Sequence, residues 1–150
     1  MYEKVLFATD GSENAKRAEQ RVIELAKSGN IIKTVVFHSI LHQLIAQATP
    51  QQDIIPADIY QKILQEVEAY GRSILANSKE VFKSAGITVD TRLISDKSPE
   101  QYAIEAVKKE GFDIIVVGCK GHHSKIKEIV LGTVPTRILH GSRCDVLVVR

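Results

Sequence analysis

The stretch SPEQYAIEAVKKEGFDIIVVG, residues 98–118, contains the two local patterns from which an α/β fold is built. Ser98 is a candidate helix N-cap, a proline follows at the first helical position, and Gln101 stands where a capping box needs it. Gly111 is a suitable helix end, and the apolar run 113–118 then reads as a strand. A strand with so few polar residues is typical of parallel sheets that helices cover on both faces.

The rest of the chain repeats this alternation of strand and helix. One helix is predicted to begin after the N-cap Ser12, and a longer one to end near Gly86. A short last helix has Pro135 in its first turn and Gly141 at its end. Short joints between the elements favour a three-layer α/β/α domain with a parallel sheet. The five predicted strands cover residues 4–9, 32–38, 87–94, 113–118 and 145–150.

The segment 42–58 interrupts the pattern, because it carries two prolines and several glutamines between the second strand and the long helix. We predict a long connection here. Such a connection is either functional, for example as a lid over a ligand, or a variable surface excursion. The sequence leaves both interpretations open.

Composition narrows the class of protein. The 150 residues are 44% hydrophobic and 25% charged, with a net charge of +2, which is typical of a globular chain and gives no reason to expect nucleic acid or an anionic membrane as a partner. No apolar run is long enough to cross a bilayer. The beginning, MYEKVLFATD, lacks the features of a signal peptide, and two cysteines do not form a disulfide framework. We therefore expect a cytoplasmic protein.

The loops that follow the strands are the expected ligand sites, since ligands of open α/β sheets bind beyond the carboxyl ends of the strands. After the first strand come Thr9, Asp10, Gly11 and Ser12. Simple helix capping is the favoured role for Ser12. Asp10 falls where a strand ends, so its carboxylate is a candidate partner for a ligand hydroxyl.

After the fourth strand comes GCKGHHSKIKEIVLGT, residues 118–133, with glycines at both ends and a basic middle. Glycines let main-chain N–H groups approach an anion closely, and the segment leads into the N-terminus of the last helix. It matches neither the P-loop nor the dinucleotide fingerprint. Spacing alone leaves two interpretations, a phosphate cradle or a turn.

Metal binding and catalysis are weaker interpretations of the same residues. Thiolates and imidazoles suit zinc, but the cysteines and histidines here do not have the spacing of a zinc site, so we predict no metal except Mg²⁺ that accompanies a bound phosphate ligand. His38 has apolar neighbours and is predicted to be a partly buried packing residue. No arrangement of nucleophile and base requires an enzyme. The metal-ligand candidates are Cys119, His122, His123, His140 and Cys144.

Taken together, the chain resembles the universal stress protein family over all of its length, as one domain, 1–150. The resemblance is carried by KVLFATDGSENAKRAEQRVIELA, VVFHSI, SPEQYAIEAVKKEGFDIIVVGCKG and IKEIVLGTVPTRILHGSRCDVLVVR. It implies a five-stranded parallel sheet of order 3-2-1-4-5. ATP-binding members carry the pattern G-x2-G-x9-G-[ST] after the fourth strand. This chain has ten residues in the middle instead of nine, and we expect a bulge near His122 to absorb the extra one.

The resemblance also implies a nucleotide site. Asp10 would hold the ribose or the adenine side, with Ala8 and Thr9 beside it, and the backbone of Ser39 would face the adenine. The glycine segment and the start of the last helix would line the phosphates. The implied set is Ala8, Thr9, Asp10, Ser39, Val117, Gly118, Gly121, His122, Gly132, Thr133 and Val134.

The function implied by the resemblance is that of an ATP-binding, nucleotide-dependent regulator in a stress response. A homodimer is expected through the last strand, which would be an apolar sheet edge. Three alternatives stay open: a dimeric scaffold that binds no nucleotide, a slow ATP hydrolase, and a hydrolytic or adenylating enzyme of the wider adenine-nucleotide-binding group.

Overall fold

The computed structural model describes residues 1–48, 55–120 and 131–150. These residues form five strands and five helices that alternate except where two helices follow one another after the second strand. In chain order the elements are β1 (Lys4–Ala8), α1 (Glu13–Ser28), β2 (Lys33–Ser39), α2 (Leu41–Ala48), α3 (Ala57–Ser84), β3 (Asp90–Ile94), α4 (Pro99–Glu110), β4 (Ile114–Gly118), α5 (Thr133–Gly141) and β5 (Asp145–Val149).

The strands form one parallel sheet of order β3-β2-β1-β4-β5, so the predicted fold class and strand order are confirmed. The centre of the sheet is β1, in which Ala8 pairs with Phe37 of β2 on one side and with Val117 of β4 on the other. The chain leaves β1 toward α1 on one face and leaves β4 toward α5 on the opposite face. A ligand crevice forms at such a switch point.

Alternation along the central strand divides the core between two layers of helices. Val5 and Phe7 pack with α1 and α3, whereas Leu6 and Ala8 pack with α4 and α5. All four are buried, as a strand covered on both faces requires. Phe82 of α3 reaches Phe7 with the ring centroids 6.3 Å apart. In the part of the chain that the structure describes, no helix is long and apolar enough to cross a membrane.

The predicted helix caps are confirmed. The hydroxyl of Ser12 accepts a hydrogen bond from the N–H of Ala15 at the start of α1. At α4, Ser98 and Gln101 form the reciprocal capping box, and Gly111 ends the helix in the left-handed conformation with φ at 69°. These features depend on neighbours within one helical turn, so the local sequence is enough to specify them.

The prediction of a long connection over 42–58 is wrong in its first part, because Leu41–Ala48 form α2. Leu44 is buried against Ile40 and Val67, so this helix gains its stability by packing on α3. The last residues of the segment are also helical, since α3 begins at Ala57. Residues 49–54 lie outside the described part of the chain.

One predicted boundary also moves. The strand expected over 87–94 begins only at Asp90, because Ile87 is part of the turn that follows α3 and donates its N–H to the carbonyl of Phe82 at 2.9 Å. The last helix ends at Gly141, as predicted, and a Cβ at this position would clash with the side chain of Ile104 of α4. Gly141 therefore serves the close packing of α5 on α4.

Candidate functional site

A cleft lies at the carboxyl ends of β1, β2 and β4, at the switch point of the sheet. It encloses about 510 Å³ when its open mouth is counted. Its surface is mostly apolar. The lining residues are Ala8, Thr9, Asp10, Ser12, Ala15, Phe37, His38, Ser39, Pro99, Val117, Gly118, Lys120, Val134 and Pro135.

The first wall of the cleft, residues 9–15, is held by side chains that accept hydrogen bonds from nearby main-chain amides. Thr9 Oγ1 accepts from the N–H of Gly11 at 3.2 Å, and Asp10 Oδ1 accepts from the N–H of Ser12 at 2.9 Å. Ser12 in turn caps α1 through the N–H of Ala15 at 3.2 Å. This series of local bonds fixes the orientation of the Asp10 carboxylate at the mouth of the cleft.

The second wall consists of residues 118–120 and 132–135, and close main-chain contacts hold it. Gly118 lies so near α1 that a Cβ there would meet the carbonyl carbon of Asn14 at 2.9 Å. Gly132 donates its N–H to the carbonyl of Cys119 at 2.9 Å, so the two parts of the wall are joined directly. This bond uses the Gly132 amide, so the main-chain donors of the second wall begin at Thr133.

Three helices begin at this cleft. Each of these helices lines the cleft with its N-cap or a residue of its first turn. These residues are Ser12 for α1, Pro99 for α4 and Val134 for α5. A serine caps α1 and another caps α4, whereas the N-cap of α5 is Gly132, which has no side chain to use. The N–H groups of the first turn have no carbonyl partner within a helix. At α5 this concerns Thr133 and Val134, since the third position is a proline.

The floor of the cleft is formed by the end of β2. His38 is buried, and its Nδ1 lies 2.7 Å from the carbonyl oxygen of Thr9. A carbonyl oxygen only accepts, so Nδ1 carries the proton. The prediction that His38 is a packing residue is confirmed, and the hydrogen bond adds a link between β2 and the first wall. Ser39 Oγ donates to the carbonyl of Lys97 at 2.6 Å. The hydroxyl therefore has a partner of its own, and it is the main chain of Ser39 that the resemblance places against adenine.

The structure brings most of the sequence-predicted site residues together. Gly132 and Thr133 stand at the N-terminus of α5, directly before the lining residue Val134. Gly121 and His122, together with the bulge expected near His122, fall outside the described residues. The predicted residues that line the cleft are Ala8, Thr9, Asp10, Ser39, Val117, Gly118 and Val134.

Sequence reasoning left several lining residues out of the nucleotide set. Pro99 and Pro135 are at the starts of α4 and α5, and the predicted sheet order already placed both helix starts at this edge. Lys120 belongs to the basic segment but not to the glycine pattern. Nothing in the sequence identifies Phe37 and Ala15 as cleft residues, because apolar residues in a strand or a helix are predicted to belong to the core. The other two are Ser12 and His38.

Among the described residues, the structure contains no group of three or more His, Cys, Asp or Glu side chains that could bind a metal ion. Cys144 is half-buried, and this burial raises the pKa of its thiol, which disfavours the thiolate that binds zinc. Cys119 is buried beside the second wall. His122 and His123 lie outside the described residues, so this part of the hypothesis is not tested.

The sheet order, with a cleft at its switch point, defines a Rossmann-like α/β protein. A model of the universal stress protein family matches residues 1–150, and the chain belongs to this family. It is 29% identical over 150 residues to universal stress protein YxiE of Bacillus subtilis, with all of both chains covered.

Solved structures of similar fold include proteins with adenine nucleotides bound. A universal stress protein in complex with cAMP is 26% identical, with a TM-score of 0.66 and 99% of this chain and 97% of that chain covered. A family member from Arabidopsis thaliana with AMP bound has a TM-score of 0.66 at 18% identity, with 98% and 90% covered. At that identity the second comparison shows the fold alone.

Proposed function

We propose that this protein binds ATP at the cleft and acts as a nucleotide-dependent regulator in a stress response. The observation that carries the proposal is the convergence of three helix N-termini on one cleft, with α5 uncapped by any side chain. Each helix N-terminus carries a partial positive charge, and together they favour an anion at the cleft. The amides of Thr133 and Val134 are the donors that remain for it.

The apolar part of the cleft suits the base of the same ligand. Phe37 and Val117 present buried apolar surface next to the main chain of Ser39. The Asp10 carboxylate, fixed by the Ser12 amide, would accept a hydrogen bond from a ribose hydroxyl or from the adenine side. Relatives crystallised with cAMP and AMP support an adenine nucleotide as the ligand class. When Mg²⁺ accompanies ATP, it would neutralise phosphate charge outside the apolar part of the cleft.

Thermal unfolding with added nucleotide tests the proposal. Ligand at 100 times its dissociation constant stabilises the native state by about 2.7 kcal/mol, which for a chain of this size raises Tm by roughly 5–10 °C. We expect this shift with Mg-ATP and a measurable shift with AMP. The absence of a shift with both nucleotides would contradict the proposal and favour the scaffold that binds no nucleotide.

A proline substitution isolates the contribution of the α5 amides. Thr133→Pro removes one donor at the first helical position, where proline is well tolerated, and Gly132 already has the extended conformation that precedes proline. We expect ATP affinity to fall about tenfold or more, as for a lost hydrogen bond to a charged group. Ala57→Pro, at the first position of α3, is the matched control and should leave ATP affinity unchanged.

We also propose a homodimer that pairs through β5, in a protein that functions in the cytoplasm. The supporting observation is that β5 is a sheet edge whose residues Val146–Val149 are apolar and only half-buried. Light scattering at micromolar concentration should give twice the chain mass. Hydrogen exchange should show that the β5 amides that point away from β4 are protected as well as those that pair with β4. A monomer at all concentrations would contradict this assembly without affecting the nucleotide proposal.

A further inference from the structure

A second hollow, which we call the basic hollow, lies beside the cleft at the ends of β4 and β5. It is lined by Asn14, Arg17, Cys119, Lys120 and Arg150 and encloses about 570 Å³, counting its open mouth. Among these lining residues, which all belong to the described part of the chain, three have cationic side chains and none has an acidic one. Lys120 also lines the nucleotide cleft, so the two hollows are neighbours along the second wall.

Arg17 is held in position by contacts from both sides of the basic hollow. Its Nε donates to the main-chain oxygen of Arg150 at 2.7 Å, and its Nη2 donates to Oδ1 of Asn14. Asn14 is fixed in turn, because its Nδ2 donates to the carbonyl of Lys120 at 3.3 Å. A guanidinium that is already oriented loses little conformational freedom when it binds a ligand.

Most of the donor capacity of Arg17 remains for a ligand. A guanidinium has five N–H groups, and within the described residues two of them are used by Arg150 and Asn14. The side chain is exposed to solvent. The other N–H groups present the paired geometry that matches the oxygens of a phosphate. Lys120 and Arg150 add positive charge, which excludes a cation and favours a multiply charged anion.

We propose that the basic hollow binds a phosphate group, namely the terminal phosphate of ATP held in the neighbouring cleft, with Arg17 as the residue that distinguishes ATP from AMP. This inference rests on the proposed function. The α5 amides would hold the phosphates nearest the ribose, and the chain of phosphates would extend past Lys120 to Arg17. The same chemistry would also accept a free phosphate, and the experiment separates these two sources.

The test is isothermal titration of ATP and AMP into the wild-type protein and two variants. Arg17→Gln keeps hydrogen-bonding capacity but removes the charge. We expect ATP affinity to fall about tenfold or more while AMP affinity stays within twofold. Arg21→Gln is the matched control, since Arg21 lies one turn later on α1, is exposed and pairs with Glu24. It should change neither affinity.

Each other outcome also decides the question. If Arg17→Gln lowers the affinities for ATP and AMP equally, or lowers neither, Arg17 does not contact the terminal phosphate and the inference is overturned. If the wild type binds no nucleotide, the proposed function fails, and titration with inorganic pyrophosphate then tests the basic hollow alone. Pyrophosphate binding that Arg17→Gln abolishes would support a site for free phosphate groups, whereas no binding would overturn the phosphate site as well.

Discussion

In the first wall of the cleft, polar side chains hold the main chain: Thr9, Asp10 and Ser12 each accept a hydrogen bond from an amide two or three residues later. In the second wall, Gly118 and Gly132 have no side chain, and this lets main-chain segments pack closely against each other. The first wall depends on polar side-chain atoms, and the second on close approach of main-chain atoms. Substitutions in the two walls should therefore fail for different physical reasons.

This difference assigns distinct tasks to the walls. The first wall uses its own amides for capping and presents a fixed carboxylate, Asp10, to the ligand. The second wall leaves the first amides of α5 uncapped, so it offers donors to an anion. In the proposed complex, the first wall would face the ribose or the base of the nucleotide and the second wall would face its phosphates.

The largest effect is expected for Gly118→Ala in the second wall. The added Cβ would lie 2.9 Å from the carbonyl carbon of Asn14 and 3.0 Å from the nitrogen of Ala15, and main-chain atoms of α1 cannot rotate away as a side chain can. We expect the free energy of unfolding to fall by about 3 kcal/mol, as for overpacking in a rigid core. Urea-induced unfolding measures this loss.

Gly29→Ala is the matched control for that substitution. A Cβ at Gly29 would meet only the carbonyl oxygen of Leu25, at 3.3 Å, at the exposed end of α1. The expected loss is below about 1 kcal/mol. Equal losses for the two glycine variants would show that close approach to α1 is not what fixes the second wall.

A smaller effect is expected for Ser12→Ala in the first wall. The substitution removes the acceptor of the Ala15 amide, and loss of a helix N-cap costs about 1 kcal/mol. Ser28→Ala, on the last residue of the same helix, should change stability by less than about 0.5 kcal/mol, since Ser28 is exposed and caps nothing at the N-terminus. Thermal or urea unfolding of both variants measures the difference.

The smallest effect concerns the ion pair that ties α5 of the second wall to α4. Arg137 donates to the buried carboxylate of Glu100 at 2.9 Å. Burial alone would raise the pKa of Glu100, but its own backbone N–H and Arg137 outweigh this, and the pKa lies below the usual 4.5. Such a carboxylate stabilises the fold above its unfolded pKa, and the contribution is lost as the pH falls through the folded pKa.

Arg137→Gln should therefore destabilise the protein at pH 7 and lose this effect in acid. Since Arg137 is largely exposed, solvent screening keeps the expected loss to about 0.5 kcal/mol. Urea unfolding of variant and wild type between pH 3 and pH 7 measures it, with Arg72→Gln as the control for an exposed pair, here with Glu68. A loss that is constant over this range would show that Glu100 is not the partner that matters.

The features that the sequence predicted correctly are those set by short-range chemistry or by an unbroken apolar run. The capping box at Ser98 and the buried run of β4 are examples. Errors arose where a residue's role depends on a distant neighbour. Helix α2 was missed because it is stabilised by Leu44 packing against Val67, and the packing role of Gly141 was not foreseen because its neighbour Ile104 lies on another helix.

The candidate site shows the same division. Asp10 and Gly118 were found from their positions at strand ends. The hydrogen bond from the Gly132 amide to the carbonyl of Cys119 was not predictable, because it depends on how β4 and α5 are placed in the fold. Arg17 was also missed, since nothing in the local sequence of α1 places it beside the end of β5.

The bond between Gly132 and Cys119 has a consequence for how the family's glycine pattern can change in length. Both ends of residues 120–131 are fixed at one point, so the number of residues between them does not set the distance from β4 to α5. The contact between β4 and α5 therefore depends on this one main-chain bond and on the closeness of the two glycines to their neighbours, not on the length of chain that separates them.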